Sequence, residues 1–167
     1  MNIGKDKLKL RYTHTMQIIL RPVIQSDLPI IFEQMSDPES SAMAAVPSRN
    51  KEEFDAHWKK IMANENTTLR TIEVDGQVAG HLVSFLMGEE RDIGYWLGKE
   101  FWGKGIATEA LSQFLGVVKT RPLFGRVAKH NPGSKRVLEK CGFKVVEEGK
   151  YLNWKKEEVE EFILRLE

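Results

Sequence analysis

The residues whose types and spacing best suit chemistry are Gly103, Lys104 and Gly105, followed at once by Ile106, Ala107 and Thr108. Glycines two positions apart let the main chain come close to a ligand, because no Cβ stands in the way. The segment Thr108–Lys119 places Ala110, Leu111, Phe114, Leu115 and Val118 at helical spacing. It predicts a helix whose first N–H groups lack intrahelical partners. Those donors and the positive end of the helix dipole make a site for an anion, and phosphate fits it best. Upstream, Asp92–Leu97 reads as a short apolar strand that delivers the chain to this loop. The arrangement points to a phosphorylated cofactor rather than to a metal or a flat binding surface.

Other reactive side chains offer less. His14, His57, His81 and His130 show no metal-ligand spacing, so no metal is expected. His81 lies inside a strand and is open to two readings, cleft-facing or core. Cys141, between Lys140 and Gly142 and ahead of Phe143, suits a small buried hydrophobe better than a nucleophile. A dinucleotide fold is disfavoured, because the loop lacks the third glycine and antiparallel strands precede it. A phosphate-binding loop of the nucleotide-hydrolase kind would need a Gly-Lys-Ser/Thr triplet, and none follows.

A chain of 167 residues with 41% hydrophobic and 29% charged residues suits one domain with a substantial core. Its formal net charge of +1 gives no support to a nucleic-acid partner. The one cysteine excludes a disulfide within the chain and suggests a reducing compartment, the cytoplasm. No apolar run reaches membrane-spanning length. Residues 1–15 are basic and polar and read as a mobile leader or as an upstream start before Met16; the domain is expected over 16–167.

The elements that must position the loop can be followed along the chain. Gln17–Arg21 predicts a strand stopped by Pro22, and Ser26 or Asp27 can cap a helix bearing Leu28, Ile31, Phe32 and Met35. Glu39–Pro47 reads as loop or weak helix. Asn50 and Glu53 form a capping-box pattern for a helix to about Ala63, with Phe54, Trp58, Ile61 and Met62 as its apolar stripe. Leu69–Val74 and Val78–Leu86 around Asp75-Gly76 form a hairpin signal. Asp92–Leu97, Leu123–Ala128 and Lys144–Glu148 are further expected strands, and Pro132–Lys140 an expected helix. The tail, Glu158–Glu167, fits either a strand or a helix. The order predicts a mixed α/β (α+β) domain with a largely antiparallel sheet flanked by helices.

This order, with Trp102-Gly103-Lys104-Gly105-Ile106-Ala107 at the strand-to-helix junction, resembles the GNAT family of acetyl-CoA-dependent N-acetyltransferases. Their loop pattern, Gln/Arg-x-x-Gly-x-Gly/Ala, matches here with Trp102 first, Gly105 second and Ala107 third. A second block, Asn131-Pro132-Gly133-Ser134 and then Val137 to Phe143, is similar to the family's Asn-x-x-Ser…Leu-x-Lys-x-Gly-Phe stretch. The strand and loop look most like the branch containing the ribosomal-protein N-terminal acetyltransferases and small-molecule relatives. Trp102 departs from the pattern, where Gln or Arg is usual.

The resemblance implies that acetyl-CoA is held by Trp96, Leu97, Trp102, Gly103, Lys104, Gly105, Ile106, Ala107, Thr108, Asn131 and Ser134. The backbone of Gly103–Thr108 would cradle the pyrophosphate, and a bulged strand around Gly94 would bond the pantetheine and polarise the thioester. Ser134 is the implied acid for the leaving thiolate; alternatively, Asn131 and Ser134 only cap their helix. No tyrosine is expected at the acid position. Asp92, with Glu90 before it, is the candidate base, or a solvated carboxylate. Lys135, Arg136 and Lys140 either meet the 3′-phosphate or solvate a helix face. The implied acceptor is a primary amine of a small molecule or a protein N-terminus, reached through the first two helices and residues 37–50, by a monomer or homodimer. A strong cofactor block with poor acid and base candidates also fits a second class, a CoA-binding sensor or interaction module.

Overall fold

The computed structural model describes residues 14–167. The leader assigned to 1–15 lies, apart from His14 and Thr15, outside the described residues. The chain runs β1 (Ile18–Arg21), α1 (Leu28–Ser36), α2 (Pro38–Ala44), α3 (Lys51–Met62), β2 (Thr68–Val74), β3 (Gln77–Met87) and β4 (Glu90–Leu97). It continues through α4 (Ile106–Val117), β5 (Leu123–Ala128), α5 (Pro132–Lys140), β6 (Lys144–Leu152) and β7 (Glu158–Leu166). The strands form one sheet in the order β1-β2-β3-β4-β5-β7-β6. Every neighbouring pair is antiparallel except β4 with β5.

Strand periodicity explains how this sheet carries helices on both faces. Ile72, Leu82, Ile93, Leu123 and Leu164 point one way and pack with Ile106, Leu111 and Phe114 of α4 and Leu138 of α5. Leu69 points the other way and packs with Leu28 and Ile31 of α1 and Phe54 and Trp58 of α3. Alternate residues of a strand face opposite sides, so a strand buried on both faces loses its simple polar-apolar rhythm. That is why the sequence of the tail fits two readings. In β7, Phe162, Leu164 and Leu166 join the α4/α5 side, while Val159 packs with Ala45 and Ala128 on the other. Two apolar sets in one strand imitate a helical face.

Local capping sets several boundaries. Asn50 accepts from the Glu53 backbone at 2.9 Å while Glu53 accepts from the Asn50 N–H at 3.2 Å, completing the expected capping box. The stretch read as loop or weak helix is a true helix, α2. Asp37 caps it, accepting from the backbone N–H and hydroxyl of Ser40, each at 2.8 Å, and Pro38 sits at its first turn. Helix α4 starts at Ile106, earlier than Thr108, because Gly105 adopts φ 75° and so turns the chain directly into the helix.

The expected bulge in β4 is not there. β4 pairs with β3 in continuous register from Glu90 to Leu97. Its other edge pairs with β5 only from Arg91 to Ile93, opposite Leu123 to Gly125. Beyond Ile93 the two parallel strands diverge, so the splay arises by loss of pairing and not by an inserted residue. The bulge in this region lies one strand over, in β3 opposite Ile72 and Glu73. Gly80 follows it, and a Cβ there would run into the Trp96 carbonyl.

Candidate active site

The divergence of β4 and β5 opens a cleft in the middle of the sheet. It continues into a cavity of about 690 Å³, bounded by the loop before α4, the start of α5 and one side of α2. This volume suits a small-molecule or cofactor site. Ile93 to Leu97 line one wall and Gly125 to Ala128 the other. The backbone groups of β4 beyond Ile93 have no β5 partner within the ladder, so they are available to a ligand lying in the cleft.

At one end sits the glycine loop. Gly103 and Gly105 have φ of 71° and 75°, the left-handed region that favours glycine. A Cβ at either would meet nothing within 4 Å, so the space before the loop is open rather than filled by protein. No side chain caps α4. Its first-turn N–H groups therefore lie at the cavity mouth with no side chain bonded to them; the one acidic residue of that turn is Glu109. Trp102 ties this loop to the end of β4, its indole Nε1 donating to the Leu97 carbonyl at 2.9 Å.

At the neighbouring end Asn131 caps α5, its Oδ1 accepting from the Ser134 backbone at 3.1 Å. Of the two helix-mouth residues, Asn131 takes the capping role. The Ser134 hydroxyl instead lies 2.7 Å from the Tyr95 hydroxyl. Tyr95 is the site residue that sequence reasoning missed. It projects from the strand itself, outside the segment that matches the family's acid position, and the alternation Ile93, Tyr95, Leu97 was the available signal. Burial pushes its hydroxyl up to about 12, with the Ser134 bond acting in the opposite sense.

Trp96, Leu97, Trp102, Gly103, Gly105, Ile106, Ala107, Thr108, Asn131 and Ser134 all line this one cavity. Lys104 does not. Its ammonium donates to the Glu100 carbonyl at 2.9 Å. Of the basic residues on α5, Arg136 and Lys140 line the cavity, whereas Lys135 pairs with Glu139 at 2.6 Å.

Asp92 is neither on the cavity wall nor solvated. It is 2% exposed, and its Oδ2 accepts from Arg126 Nε at 3.0 Å. Burial raises its pKa, with the Arg126 guanidinium opposing that shift. Arg126 also donates to Glu90 at 3.0 Å and itself lines the cavity. Asp92 thus stands behind an arginine, whereas Glu90 is an exposed carboxylate at its edge. The pairing of β4 explains this: Asp92 lies in the stretch that still pairs with β5, before the two strands diverge.

His81 is buried and packs edge-on against Trp58 at a ring separation of 4.9 Å; it does not line the cavity. Cys141 is half-buried, and burial raises its thiol pKa, as expected of an unreactive packing residue. Among the described residues no group of three or more His, Cys, Asp or Glu could hold a metal ion.

A mixed sheet split between two parallel strands, with a glycine loop and helix start at the split, makes a cleft for an elongated ligand with an anionic end. The chain matches the acetyltransferase (GNAT) domain over residues 17–144 and belongs to that family. A Bacillus subtilis (strain 168) protein named "Putative ribosomal N-acetyltransferase YdaF" is 32% identical over 100 residues, 56% of this chain and 54% of that protein. The match therefore spans about half the length of that curated relative. Among solved structures, spermidine N-acetyltransferase from Vibrio cholerae, in complex with CoA and spermine, superposes with a TM-score of 0.75 at 16% identity. It covers 89% of this chain and 95% of that one. A phosphinothricin acetyltransferase from Sinorhizobium meliloti, in complex with acetyl-CoA, gives 0.77 at 18% identity, covering 89% and 87%. At such identities the likeness is one of fold.

Proposed function

We propose that this chain is an N-acetyltransferase that moves an acetyl group from acetyl-CoA to a primary amine of a small molecule or a protein N-terminus. The observation that carries this reading is the continuity of the cavity from the glycine loop, through the β4/β5 cleft, to the Tyr95–Ser134 pair and α2. The backbone N–H groups of Gly103–Thr108 receive the pyrophosphate. Arg136 and Lys140 reach the 3′-phosphate. The unpaired edge of β4 from Gly94 to Leu97 bonds the pantetheine amides and polarises the thioester carbonyl.

The amine enters from the side of α2, where Met43, Ala44 and Val46 form an apolar wall. Its nitrogen forms the new N–C bond, the C–S bond breaks, and the nitrogen gives its proton to water. The departing thiolate takes a proton from Ser134 Oγ, Ser134 takes the Tyr95 hydroxyl proton in turn, and Tyr95 recovers one from water. Asp92 acts on Arg126 and holds that guanidinium at the acceptor end. Much of the acceleration then comes from positioning. We place the reaction in the cytoplasm. No helix among the described residues is long and apolar enough to cross a membrane.

Thermal melts with acetyl-CoA and ATP, followed by an acceptor screen with mass detection, test this reading. Acetyl-CoA should raise the melting temperature and ATP should not, because the cleft selects the pantetheine arm as well as phosphate. Stabilisation by acetyl-CoA without any acetylated amine would favour a CoA-binding sensor module instead. Equal stabilisation by both nucleotides would remove the cofactor assignment altogether.

A further inference from the structure

Strand β6 closes one side of the sheet, and among the described residues nothing pairs with its outer edge. Most of its residues are exposed, on both faces. Several of the chain's exposed large apolar residues gather on it and on the turn after it: Val145, Val146, Tyr151, Leu152 and Trp154. Val146 is 55% and Leu152 68% exposed. An edge strand with apolar side chains and free main-chain groups is a template for another strand. The structure points to a second copy of this chain as its occupant.

We infer that β6 pairs antiparallel with β6 of a second subunit about a two-fold axis at Gly149, joining the two sheets into one. Charge complementarity selects both the partner and the register. A two-fold axis perpendicular to the sheet keeps each side chain on its own face, so one residue must lie opposite its own copy. Centring on Glu147, Glu148 or Lys150 opposes two like charges at the axis. Centring on Tyr151 places Lys150 against an apolar Leu152.

With Gly149 at the axis, Glu148 lies opposite Lys150 of the partner subunit, and Lys150 opposite the partner's Glu148. The same register sets Glu147 beside the partner's Tyr151, twice over by symmetry and within the regular part of the strand. Opposite charges across a strand pair stabilise it and like charges oppose it. Within one chain these charges already hold exposed partners, Lys129 with Glu148 at 2.5 Å and Lys150 with Glu158 at 2.9 Å. Each has spare hydrogen-bonding capacity for a second contact. The bulge in β6 falls between Val145 and Glu147, which leaves the stretch Glu147–Leu152 regular. Of the registers centred from Glu147 to Tyr151, only this one sets opposite charges of β6 against each other.

Sedimentation of the full chain across micromolar concentrations tests this. The wild type should dimerise. Glu148→Lys and Lys150→Glu should each weaken the dimer tenfold or more, whereas the double swap E148K/K150E should restore it. Mixing the two single variants should give a heterodimer, since one then carries two lysines and the other two glutamates at the facing positions. Without any variant, the β6 amides should exchange more slowly at high protein concentration than at low. A monomeric wild type, a dimer indifferent to charge reversal, or exchange from β6 independent of concentration would overturn the inference. Protection, in a monomer, of the β6 amides that do not bond to β7 would assign the edge to another part of the same chain, and overturn it too.

Discussion

The Tyr95 hydroxyl lies 2.7 Å from the Ser134 hydroxyl, and the contact joins the splayed strand β4 to the first turn of α5. One group belongs to the wall along which the thioester would lie, the other to the helix mouth that the thiolate would face. Because burial holds Tyr95 at about 12, it rests protonated throughout the working pH range and has a proton to pass on. Ser134→Ala should lower kcat roughly 10²-fold or more while changing acetyl-CoA affinity little. Tyr95→Phe should lower kcat by a smaller factor, since Ser134 can then recover its proton from water. Steady-state kinetics with a direct binding measurement separates the two effects. A stability loss with unchanged turnover in Ser134→Ala would remove the hydroxyl pair from the mechanism.

The cofactor loop makes a sharper demand on one backbone position. Gly105 has φ 75° and open space beyond its missing Cβ, so a side chain there costs little packing and projects where the pyrophosphate would sit. Gly105→Asp should abolish acetyl-CoA binding through bulk and charge repulsion, yet fold. Asp tolerates the left-handed region better than most residues, so the loss of stability should stay near ~1 kcal/mol. Calorimetric titration with CoA, beside a thermal melt, gives both values. Undiminished CoA affinity in the folded variant would mean that the loop is not the phosphate site.

Much of this site was legible because local rules fix it. Gly103 and Gly105 are required by backbone conformation, Asn131 by a helix start, and the Asp75-Gly76 hairpin by its turn. All three depend on residues within a few positions. What escaped is set by contacts distant in sequence. Tyr95 becomes a site residue only because α5 places Ser134 beside it. Asp92 stops being a free carboxylate only because β5 brings Arg126 to it across the parallel pair. The splay was expected from a bulge, yet it comes from where pairing between β4 and β5 ends, which no single strand encodes. The tail resolved for a related reason, since burial on both faces hides the period of a strand.

The position of Asp92 gives an outcome that differs from that expected of a base. Its carboxylate is buried against Arg126, which Glu90 and Glu161 also approach. Asp92→Asn would leave the guanidinium with a weaker partner at that site and should cost about 1–3 kcal/mol of stability. KM for the amine should rise more than kcat falls, because the acceptor end of the cavity loses its fixed arginine. The acid limb of the pH–rate profile should stay where it was. If Asp92 were the base, that limb would disappear and kcat would drop roughly 10²-fold with the fold intact. A pH profile of the variant decides between the two.

His81 offers a test of the core on which the site rests. It is buried between elements: Trp58 of α3 packs on its ring, Thr71 and Trp96 are its partners on β2 and β4, and the charge of His57 adds to the effect of burial. Burial, the larger cause, lowers its pKa from 6.5 to about 3. The unfolded chain takes up a proton at this residue as pH falls through 6.5, while the native chain does not until about 3. Between those values the unfolded state binds more protons, so stability must fall as pH falls. Above 6.5 both states are neutral at His81, and the residue contributes no pH dependence. His81→Leu keeps an apolar group of similar size against Trp58 and removes the titration. The drop in melting temperature between neutral and mildly acidic pH should therefore be smaller in this variant than in the wild type. Wild-type and variant curves that fall in parallel would show that His81 is not the buried neutral group the structure makes it.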